Sequence, residues 1–451
     1  METKTKKYIY EDDEDRCDLV TEPQYNLWFN NGEDERHESD TLRVLSLFSG
    51  CGGMDLGLEG GFICHRKSVT NQDYIQEYVN KNWVLLNKNR FRTVFACDIL
   101  PEARATWLKY MSRFNVNPDI YHLESIVDLV KLHKGSGDIF PRNIDIVTGG
   151  FPCQDFSVAG KRRGFDSSVS HDGKKLNNLD EPSEETRGKL YIWMKQTIDA
   201  VQPKVFVAEN VKGLISLGEV KRIIQQDFST ANGNDYIVLE PQVLHAGNYG
   251  VPETRERVIF IGIKRSELRP EALAALEQEN IPAEYNPYPK ATHNFNVKND
   301  KLPAAVTCRD ILSELPEPEM SADLSHRTYS CAKYLSNGSQ GQAEININGL
   351  GPTIRSEHHG NIEFRRLSAE HGGKHTEELA KGMKERRLSP RECALIQTFP
   401  PDYPFVFHKP DSKRYAVSPS GAYRVIGNAV PPMLAFNIAK RLEEVWSLYF
   451  K

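Results

Sequence analysis

The chain has 451 residues, of which 39% are hydrophobic and 26% are charged, as in ordinary globular proteins large enough for two domains. It has no apolar run near the roughly 20 residues that cross a bilayer and no signal-peptide pattern, so we expect no membrane contact and a cytoplasmic location. The eight cysteines form no C-x-x-C pair, which disfavours a zinc site or a disulfide framework and predicts no bound metal.

Residues 1–41 form an acidic N-terminal extension. Acidic side chains are so concentrated there that the rest of the chain is slightly basic, although the whole chain has a net charge of -5. This composition is typical of a flexible, solvated segment.

The first predicted unit after the extension is a strand, a glycine-rich turn and a helix. The run from Arg43 to Phe48 alternates like a strand, and SGCGGMD follows it. Glycines let backbone amides approach a nucleotide-like group, and a helix N-terminus adds partial positive charge. A dinucleotide fingerprint G-x-G-x-x-G would need glycine where Asp55 stands, so a dehydrogenase-type site is disfavoured.

A second predicted strand, Val94–Ile99, ends in an acid. Asp98 is therefore well placed to accept hydrogen bonds from ribose hydroxyls. Residues 65–92, which lie between the two units, are rich in Asn and Lys and are predicted to form a surface insertion. Pro101 then opens a helix with the sequence PEARATWLKYMSRF.

The third predicted strand, Ile144–Val147, runs into the segment GGFPCQDFS, which contains Cys153. A lone cysteine is usually a small buried hydrophobe, but the Gly-Gly turn and Pro152 favour a held, reactive thiol. Lys161–Arg163 follow between two glycines, which suits a mobile phosphate-binding loop and a solvated basic loop equally well. A polar insertion, residues 167–185, precedes a helix predicted to start with Arg187–Tyr191.

Two further motifs place charged groups at strand ends. A buried strand over 203–208 delivers Glu209, and a carboxylic acid near a reactive thiol suits general acid catalysis. Farther along, the sequence PETRER precedes the strand VIFIGIK. On an extended segment, Arg255 and Arg257 point to the same side.

Residues 268–386 have a different character, with Pro-rich segments and few strong helices. His358 and His359 could suggest a metal, but without further ligand spacing a polar contact or plain surface is favoured. The blocks RLSPRECALIQTFP and RVIGNAVPP follow, and the last helix has an apolar stripe that we predict to be structural: Leu434, Ile438, Leu442 and Val445.

The order of the blocks LFSGCGG, FACDI, GGFPCQ, AENV, RER, RLSPRECALIQTFP and RVIGNAVPP resembles that of the DNA (cytosine-5) methyltransferases of bacterial restriction-modification systems. The resemblance spans nearly the whole chain after residue 41. It implies an α/β, Rossmann-like S-adenosylmethionine-dependent methyltransferase fold with an inserted, mostly irregular or β target-recognition domain. The implied parts are the extension 1–41, a catalytic and cofactor-binding domain 42–267, the recognition domain 268–386 and a C-terminal part 387–451 that returns to the catalytic domain.

The resemblance also implies roles for single residues. Cys153 would be the nucleophile toward C6 of a flipped cytosine, Glu209 the proton donor to N3, and Arg257 the ligand of O2. Arg255 and Gln154 complete the implied catalytic set. The implied S-adenosylmethionine contacts are Phe48, Ser49, Gly50, Cys51, Gly52, Gly53, Asp98, Ile99, Ser125, Ile126, Pro152, Leu190, Asn428, Ala429 and Val430.

The implied DNA contacts come from the basic loop and the recognition domain. They are Ser157, Lys161, Arg162, Arg163, Arg187, Thr353, Arg355 and Arg365. Three positions depart from the family pattern: Ser46 and Ser125 stand where many relatives have an acid, and Glu253 stands where many have glutamine.

The implied partners are double-stranded DNA and, functionally, a restriction endonuclease; we expect a monomer that releases S-adenosylhomocysteine. A transfer-RNA cytosine methyltransferase of the same fold is one alternative, but so long a recognition region favours duplex DNA. A non-catalytic DNA-binding regulator is another, although it would be expected to lose Cys153, Glu209 or Arg257. The acidic extension could act as a DNA-mimicking inhibitor, but acidic tails are more often only solvated.

Overall fold

The structure is a computed structural model that describes residues 40–114, 116–137, 139–152, 189–216, 219–335, 341–356 and 362–451. In chain order the strands of these residues are β1 Leu42–Leu47, β2 Ile63–His65, β3 Ile75–Tyr78, β4 Trp83–Leu86, β5 Phe91–Cys97, β6 Tyr121–His122, β7 Ile146–Gly150, β8 Val205–Val211, β9 Tyr236–Val238, β10 Gln242–His245, β11 Glu256–Lys264, β12 Phe364–Arg366, β13 Arg386–Arg387, β14 Phe407–His408 and β15 Tyr415–Val417.

Eight of these strands form a central sheet in the order β10-β11-β8-β7-β1-β5-β6, with β9 also paired to β11. The strands from β8 to β6 are parallel to their neighbours, whereas β11 is antiparallel to β8, β9 and β10. In register, Leu45 lies beside Phe95 of β5 and Val147 of β7. Because the carboxyl ends of parallel strands meet at one edge, the motifs that follow β1, β5, β7 and β8 are brought together there.

Helices cover both faces of the sheet, which confirms the predicted α/β class. The helices are α1 Gly53–Glu59, α2 Pro101–Met111, α3 Ile126–Ser136, α4 Leu190–Val201, α5 Val220–Ser229, α6 Ala231–Asn234, α7 Pro270–Leu276, α8 Cys308–Leu312, α9 Leu324–Arg327, α10 Thr376–Ala380, α11 Pro390–Ile396, α12 Pro419–Asn428 and α13 Pro432–Tyr449. None of these helices has the length and apolar character needed to cross a membrane.

Alternation along β1 explains the two hydrophobic cores. Val44 belongs to the core that contains α1, α2 and α13, whereas Leu45 and Leu47 belong to the core that contains α3, α4 and α5. Successive strand residues point to opposite faces, so β1 has buried side chains on both sides and its sequence is almost continuously apolar. The predicted apolar stripe of α13 is buried in the first of these cores, which confirms its structural role.

The insertion predicted over residues 65–92 is more ordered than a surface excursion. Strands β2, β4 and β3 form an antiparallel sheet in which Trp83 and Leu86 are buried. Just before it, Phe62 packs edge-on against Phe436 of α13, with ring centroids 6.0 Å apart. The prediction missed this sheet because its strands are only three or four residues long and carry a weak alternation signal.

The recognition region contains short elements, as its sequence predicted. Between Leu276 and Pro390 the described helices are four or five residues long, and β12 pairs with β13 over two or three residues. The start of the region, after residue 268, is held to the catalytic sheet. The Arg269 N–H donates to the Tyr449 carbonyl at 2.8 Å, and the Tyr288 hydroxyl donates to the Ile259 carbonyl at 3.0 Å.

Candidate active site

A cavity of about 630 Å³ lies at the carboxyl ends of β1, β5, β7 and β8. Residues 353–356 and 427–430 form its other walls. The residues predicted from the sequence that line it are Phe48, Ser49, Gly50, Gly53, Asp98, Ile99, Ser125, Ile126, Pro152, Leu190, Glu209, Arg257, Thr353, Arg355, Asn428, Ala429 and Val430. Most of the predicted cofactor contacts therefore share one cavity with predicted catalytic and DNA-binding residues.

The glycine-rich turn after β1 contains residues with positive φ angles. Phe48 and Gly50 have φ angles of +54° and +56°, a region that glycine enters without strain and phenylalanine rarely enters. The Gly50 carbonyl accepts a hydrogen bond from the Tyr121 hydroxyl at 2.8 Å. A Cβ on Gly53 would lie 2.2 Å from the Val430 carbonyl oxygen, so only glycine allows α1 to meet the 428–430 segment.

Asp98 presents its carboxylate at the end of β5. One oxygen accepts from the Gly50 N–H at 3.0 Å and the other from the Leu100 N–H at 2.9 Å. Desolvation raises the pKa of Asp98, while these backbone donors lower it. The carboxylate is thus fixed in place against the first turn, with acceptor capacity left for hydroxyl groups in the cavity.

Two predicted cofactor contacts, Cys51 and Gly52, do not line the cavity. The fully buried Cys51 thiol donates to the Val425 carbonyl at 3.3 Å, and burial raises its pKa. A Cβ on Gly52 would lie 2.5 Å from the Trp107 ring. Both residues therefore pack the turn against α2 and α12 and face away from the cavity.

Asp55 is a buried acid behind the turn. In the sequence it served only to exclude a dinucleotide-binding fingerprint. The Asp55 carboxylate is 0% exposed and accepts from the Ser46 hydroxyl at 2.5 Å and from the Trp107 indole N–H at 2.8 Å. Burial is the main cause that raises its pKa to about 6. The departure at Ser46 was the signal that could have found it, since this serine contacts the acid directly.

Glu209 and Arg257 are in direct contact in the cavity. Strands β8 and β11 are antiparallel neighbours, which brings Arg257 Nε to 2.6 Å from Glu209 Oε1. Both side chains are about one-tenth exposed. The neighbouring Asn210 amide donates to the Phe151 carbonyl at 3.2 Å and so holds the backbone that leads to Pro152. Cys153 and Gln154 lie outside the described residues.

Arg257 lines the cavity, whereas Arg255, the other predicted catalytic arginine, does not. Arg255 precedes β11, where the chain is not yet extended in the sheet, and its side chain is fully buried. Its guanidinium donates to the backbone carbonyls of Ile354 at 3.0 Å, Gly427 at 2.9 Å and Ala429 at 2.7 Å. Arg255 thus joins two walls of the cavity without lining it.

Thr353 and Arg355 lie at the cavity, whereas Arg365 does not. The Thr353 hydroxyl donates to the Thr254 carbonyl at 2.8 Å, and Arg355 has about one-third of its side chain exposed. Arg365 is buried and pairs with Glu378 at 2.6 Å, so its charge is already matched inside the protein. Other predicted or considered polar contacts lie outside the described residues: Ser157, Lys161, Arg162, Arg163, Arg187, His358, His359 and Asn361.

The parallel sheet, the cavity at its carboxyl edge, the glycine-rich first turn and the acid after β5 together define a nucleotide-binding α/β methyltransferase class. Within this class, residues 42–444 match the family described as C-5 cytosine-specific DNA methylase. The chain therefore belongs to this family.

Curated relatives extend over most of the chain. The Type II methyltransferase M.BspRI of Lysinibacillus sphaericus is 30% identical over 440 residues, which cover 93% of this chain and 86% of that protein. The Type II methyltransferase M.BsuRI of Bacillus subtilis is 29% identical over 422 residues, covering 91% of this chain and 81% of that protein.

Solved structures show the same fold at lower sequence identity. A methyltransferase encoded within an E. coli prophage has a TM-score of 0.51 at 20% identity, with 90% of this chain and 100% of that chain covered. The S. pombe Dnmt2 methyltransferase has a TM-score of 0.50 at 16% identity, with 89% and 98% covered. These structural likenesses support the fold.

Proposed function

We propose that the chain methylates C5 of a specific cytosine in double-stranded DNA, with S-adenosylmethionine as methyl donor and a covalent bond between Cys153 and C6. The observation that carries this proposal is the shared cavity. It joins the Glu209–Arg257 pair to Asp98 and to Pro152, the residue before Cys153. Its volume of about 630 Å³ is typical of small-molecule sites.

The cavity residues fit the methyl donor. Asp98 offers a carboxylate to ribose hydroxyls, and the half-buried Phe48 offers an aromatic surface to a base. Asn428, Ala429 and Val430 form the opposite wall. When bound, S-adenosylmethionine would supply a methyl group bonded to a positively charged sulfur, which a carbon nucleophile can attack because the sulfur leaves as the neutral thioether of S-adenosylhomocysteine.

The chemistry at the base follows from the positions of the charged groups. A stacked cytosine has no accessible face, so the base must leave the helix at a cost of about a few kcal/mol. The Cys153 thiolate then adds to C6, and the proton of Glu209 moves to N3, which neutralises the charge that forms on the ring. Arg257 holds the Glu209 carboxyl group and donates to O2.

The remaining steps restore the enzyme. The adduct makes C5 nucleophilic, and C5 accepts the methyl group. A base from solvent takes the C5 proton, the C5–C6 double bond re-forms, and the bond between C6 and the Cys153 sulfur breaks. This step releases 5-methylcytosine and the Cys153 thiolate, while N3 returns its proton to Glu209. Arg255 takes no part in these steps; its three hydrogen bonds to carbonyl groups support the wall formed by residues 354 and 427–429.

The test uses S-adenosylmethionine with a tritiated methyl group, duplex DNA, transfer RNA and the Cys153→Ala variant. We expect label in duplex DNA as 5-methylcytosine, and no label with the variant. Label only in transfer RNA would overturn the DNA substrate while keeping the chemistry. Absence of label in both nucleic acids would favour the regulator interpretation.

We further propose a functional pairing with a restriction endonuclease, supported by the Type II methyltransferases among the relatives. The protein would protect host DNA from cleavage at its own site. Mapping methylated cytosines in DNA from cells that express the chain gives the site. An endonuclease that cuts this site should then cleave DNA from cells with the Cys153→Ala variant and spare DNA from cells with the wild-type chain.

A further inference from the structure

Asp55 occupies an unusual electrostatic position for an acid. It is the third residue of α1, is 0% exposed, and accepts its two side-chain hydrogen bonds from neutral donors, Ser46 and Trp107. Within the described residues no cation forms an ion pair with it. A buried charge without a cation partner costs stability, so such a residue needs a compensating contribution.

A short chain of hydroxyl groups connects Asp55 to the cavity. The hydroxyl of Ser46 donates to Asp55 at 2.5 Å, and Ser49 Oγ lies 2.9 Å from Ser46 Oγ. Ser49 in turn accepts from the Cys97 N–H at 3.2 Å. Ser46 and Ser49 line the cavity, whereas Asp55 lies one contact behind it.

The direction of these hydrogen bonds determines whether the cavity wall presents a donor or an acceptor to a ligand. A serine hydroxyl has one proton to donate, and Ser46 directs that proton to Asp55. Ser46 Oγ also accepts from the Ser49 hydroxyl at 2.9 Å, which leaves one acceptor position on Ser46 with a negative charge directly behind it. An acceptor backed by a carboxylate suits a cationic ligand group, and hydrogen bonds that involve charged groups are about twice as strong as neutral ones.

We propose that Asp55 is a positioning residue for the cationic amino group at the amino-acid end of S-adenosylmethionine, acting through Ser46. The inference rests on the proposed function, because it requires that the cavity bind this cofactor. An acid at the third position of α1 could instead serve only to stabilise the positive N-terminus of the helix. Only the positioning role predicts that loss of the Asp55 charge weakens the binding of ligands with an amino-acid end more than the binding of a ligand without one.

The experiment measures ligand affinity of the full chain by titration calorimetry. Three ligands share the adenosine part: S-adenosylmethionine and S-adenosylhomocysteine carry an amino-acid end, and 5′-methylthioadenosine is neutral and lacks it. In Asp55→Asn, the new side-chain oxygen can accept from Trp107 and the amide can donate to Ser46, so the contacts are kept and the charge is removed. We expect about tenfold weaker binding of the first two ligands and less than twofold change for the third.

Glu59 provides the matched control, because it is a second buried acid on α1. It accepts from the Thr93 N–H at 3.0 Å and does not line the cavity. Glu59→Gln should leave all three affinities within about twofold of wild type. A second variant exchanges the pair, Ser46→Asp with Asp55→Ser, which keeps one carboxylate and one hydroxyl in the same space; it should bind all three ligands within about threefold of wild type.

The outcomes separate the hypotheses. Unchanged affinity of Asp55→Asn for S-adenosylmethionine, or equal weakening for 5′-methylthioadenosine, would overturn the positioning role. An exchanged pair that folds but binds as weakly as Asp55→Asn would also overturn it; if the exchanged pair does not fold, the Asp55→Asn comparison decides. A wild-type chain that binds none of the three ligands would refute the proposed function itself.

Discussion

The cofactor side of the molecule and the recognition region bury their acids in opposite ways. Behind the cavity, Asp55 has neutral donors as partners, and burial raises its pKa to about 6. Where the predicted recognition domain meets α11, burial alone would raise the pKa of Glu392, but Arg386 outweighs it and lowers the pKa to about 2. The first arrangement costs stability, and the second provides it.

The difference reflects how each region is held together. The cofactor side rests on a mostly parallel sheet, whose ladders and two apolar cores fix most of the backbone. The recognition region has few ladders, and buried arginines connect its segments. Arg386 pairs with Glu317 at 3.0 Å and Glu392 at 2.8 Å, and Arg366 pairs with Glu317 at 2.7 Å. Buried ion pairs therefore provide part of the stabilisation that backbone ladders provide on the cofactor side.

The largest expected effect is on chemistry. Glu209→Gln removes the proton donor, while the amide oxygen can still accept from Arg257. We expect kcat to fall by about 10²–10⁴-fold with little change in stability. Single-turnover methylation rates check this, with Glu240→Gln, an exposed acid paired with Lys221, as the control. More than a tenth of wild-type activity in the Glu209 variant would contradict the assigned role.

The next effect is on stability at the junction of the predicted recognition domain and α11. Glu392→Gln leaves the buried Arg386 short of one partner and should lower the free energy of unfolding by about 3 kcal/mol at pH 7. Since the folded pKa of Glu392 lies below the ordinary value of 4.5, its contribution is present above pH 4.5 and is lost as pH falls toward 2. Urea unfolding between pH 3 and 7 measures both.

Glu219→Gln is the control for this comparison. Glu219 forms an exposed pair with Arg222, and such pairs contribute about 0–1 kcal/mol. Similar losses of unfolding free energy in the two variants would show that burial of the pair does not matter.

Asp55 should show the opposite dependence on pH. Its folded pKa of about 6 lies above the ordinary value of 3.8, so stability is lost as pH rises from about 4 to 6 and stays lower above pH 6. Without ligand, Asp55→Asn should therefore be more stable than wild type by up to about 3 kcal/mol at pH 7, with the difference shrinking toward pH 4. Thermal and urea unfolding of the two proteins test this. If the variant is less stable than wild type at pH 7, the interpretation that Asp55 carries a buried charge without a cation partner is wrong.

The smallest effect tests the contact between the two regions. A Cβ on Gly427 of α12 would lie 2.1 Å from the backbone carbonyl carbon of Arg355, so one of the two segments must move. Gly427→Ala should cost about 1–3 kcal/mol of stability and weaken DNA methylation. Gly135→Ala on α3 is the control, since a Cβ there meets nothing within 4 Å. Equal behaviour of the two variants would show that the contact between α12 and residues 353–356 is unimportant.

The sequence predicted the cofactor side well because its signals are local. A strand, a glycine turn and a strand-end acid are each read within a few residues, and a parallel sheet brings strand ends together without further information. Phe48, Asp98 and Glu209 therefore line one cavity in the structure, as the order of the motifs suggested. The hydrogen bond between Asp55 and Ser46 was missed because no motif rule connects a helix acid to a strand serine.

The recognition region was predicted less well because its contacts are distant in sequence. From the sequence alone, an arginine in an irregular segment can equally well be interpreted as a DNA ligand or as a member of a buried ion pair. Only the fold brings an acid to it. Arg365 meets Glu378 and Glu392, which lie 13 and 27 positions farther along the chain. The same holds outside that region for Arg255, which meets carbonyl groups 99 and 172 positions away.

By itself, the sequence determined the α/β class, the order of the motifs and the identity of the residues that chemistry requires. Those properties depend on local alternation, glycine conformations and strand ends. The tertiary structure decided which charges are buried, which are paired and which face the cavity. These properties depend on desolvation and on neighbours from distant segments, and both are set only when the chain has folded.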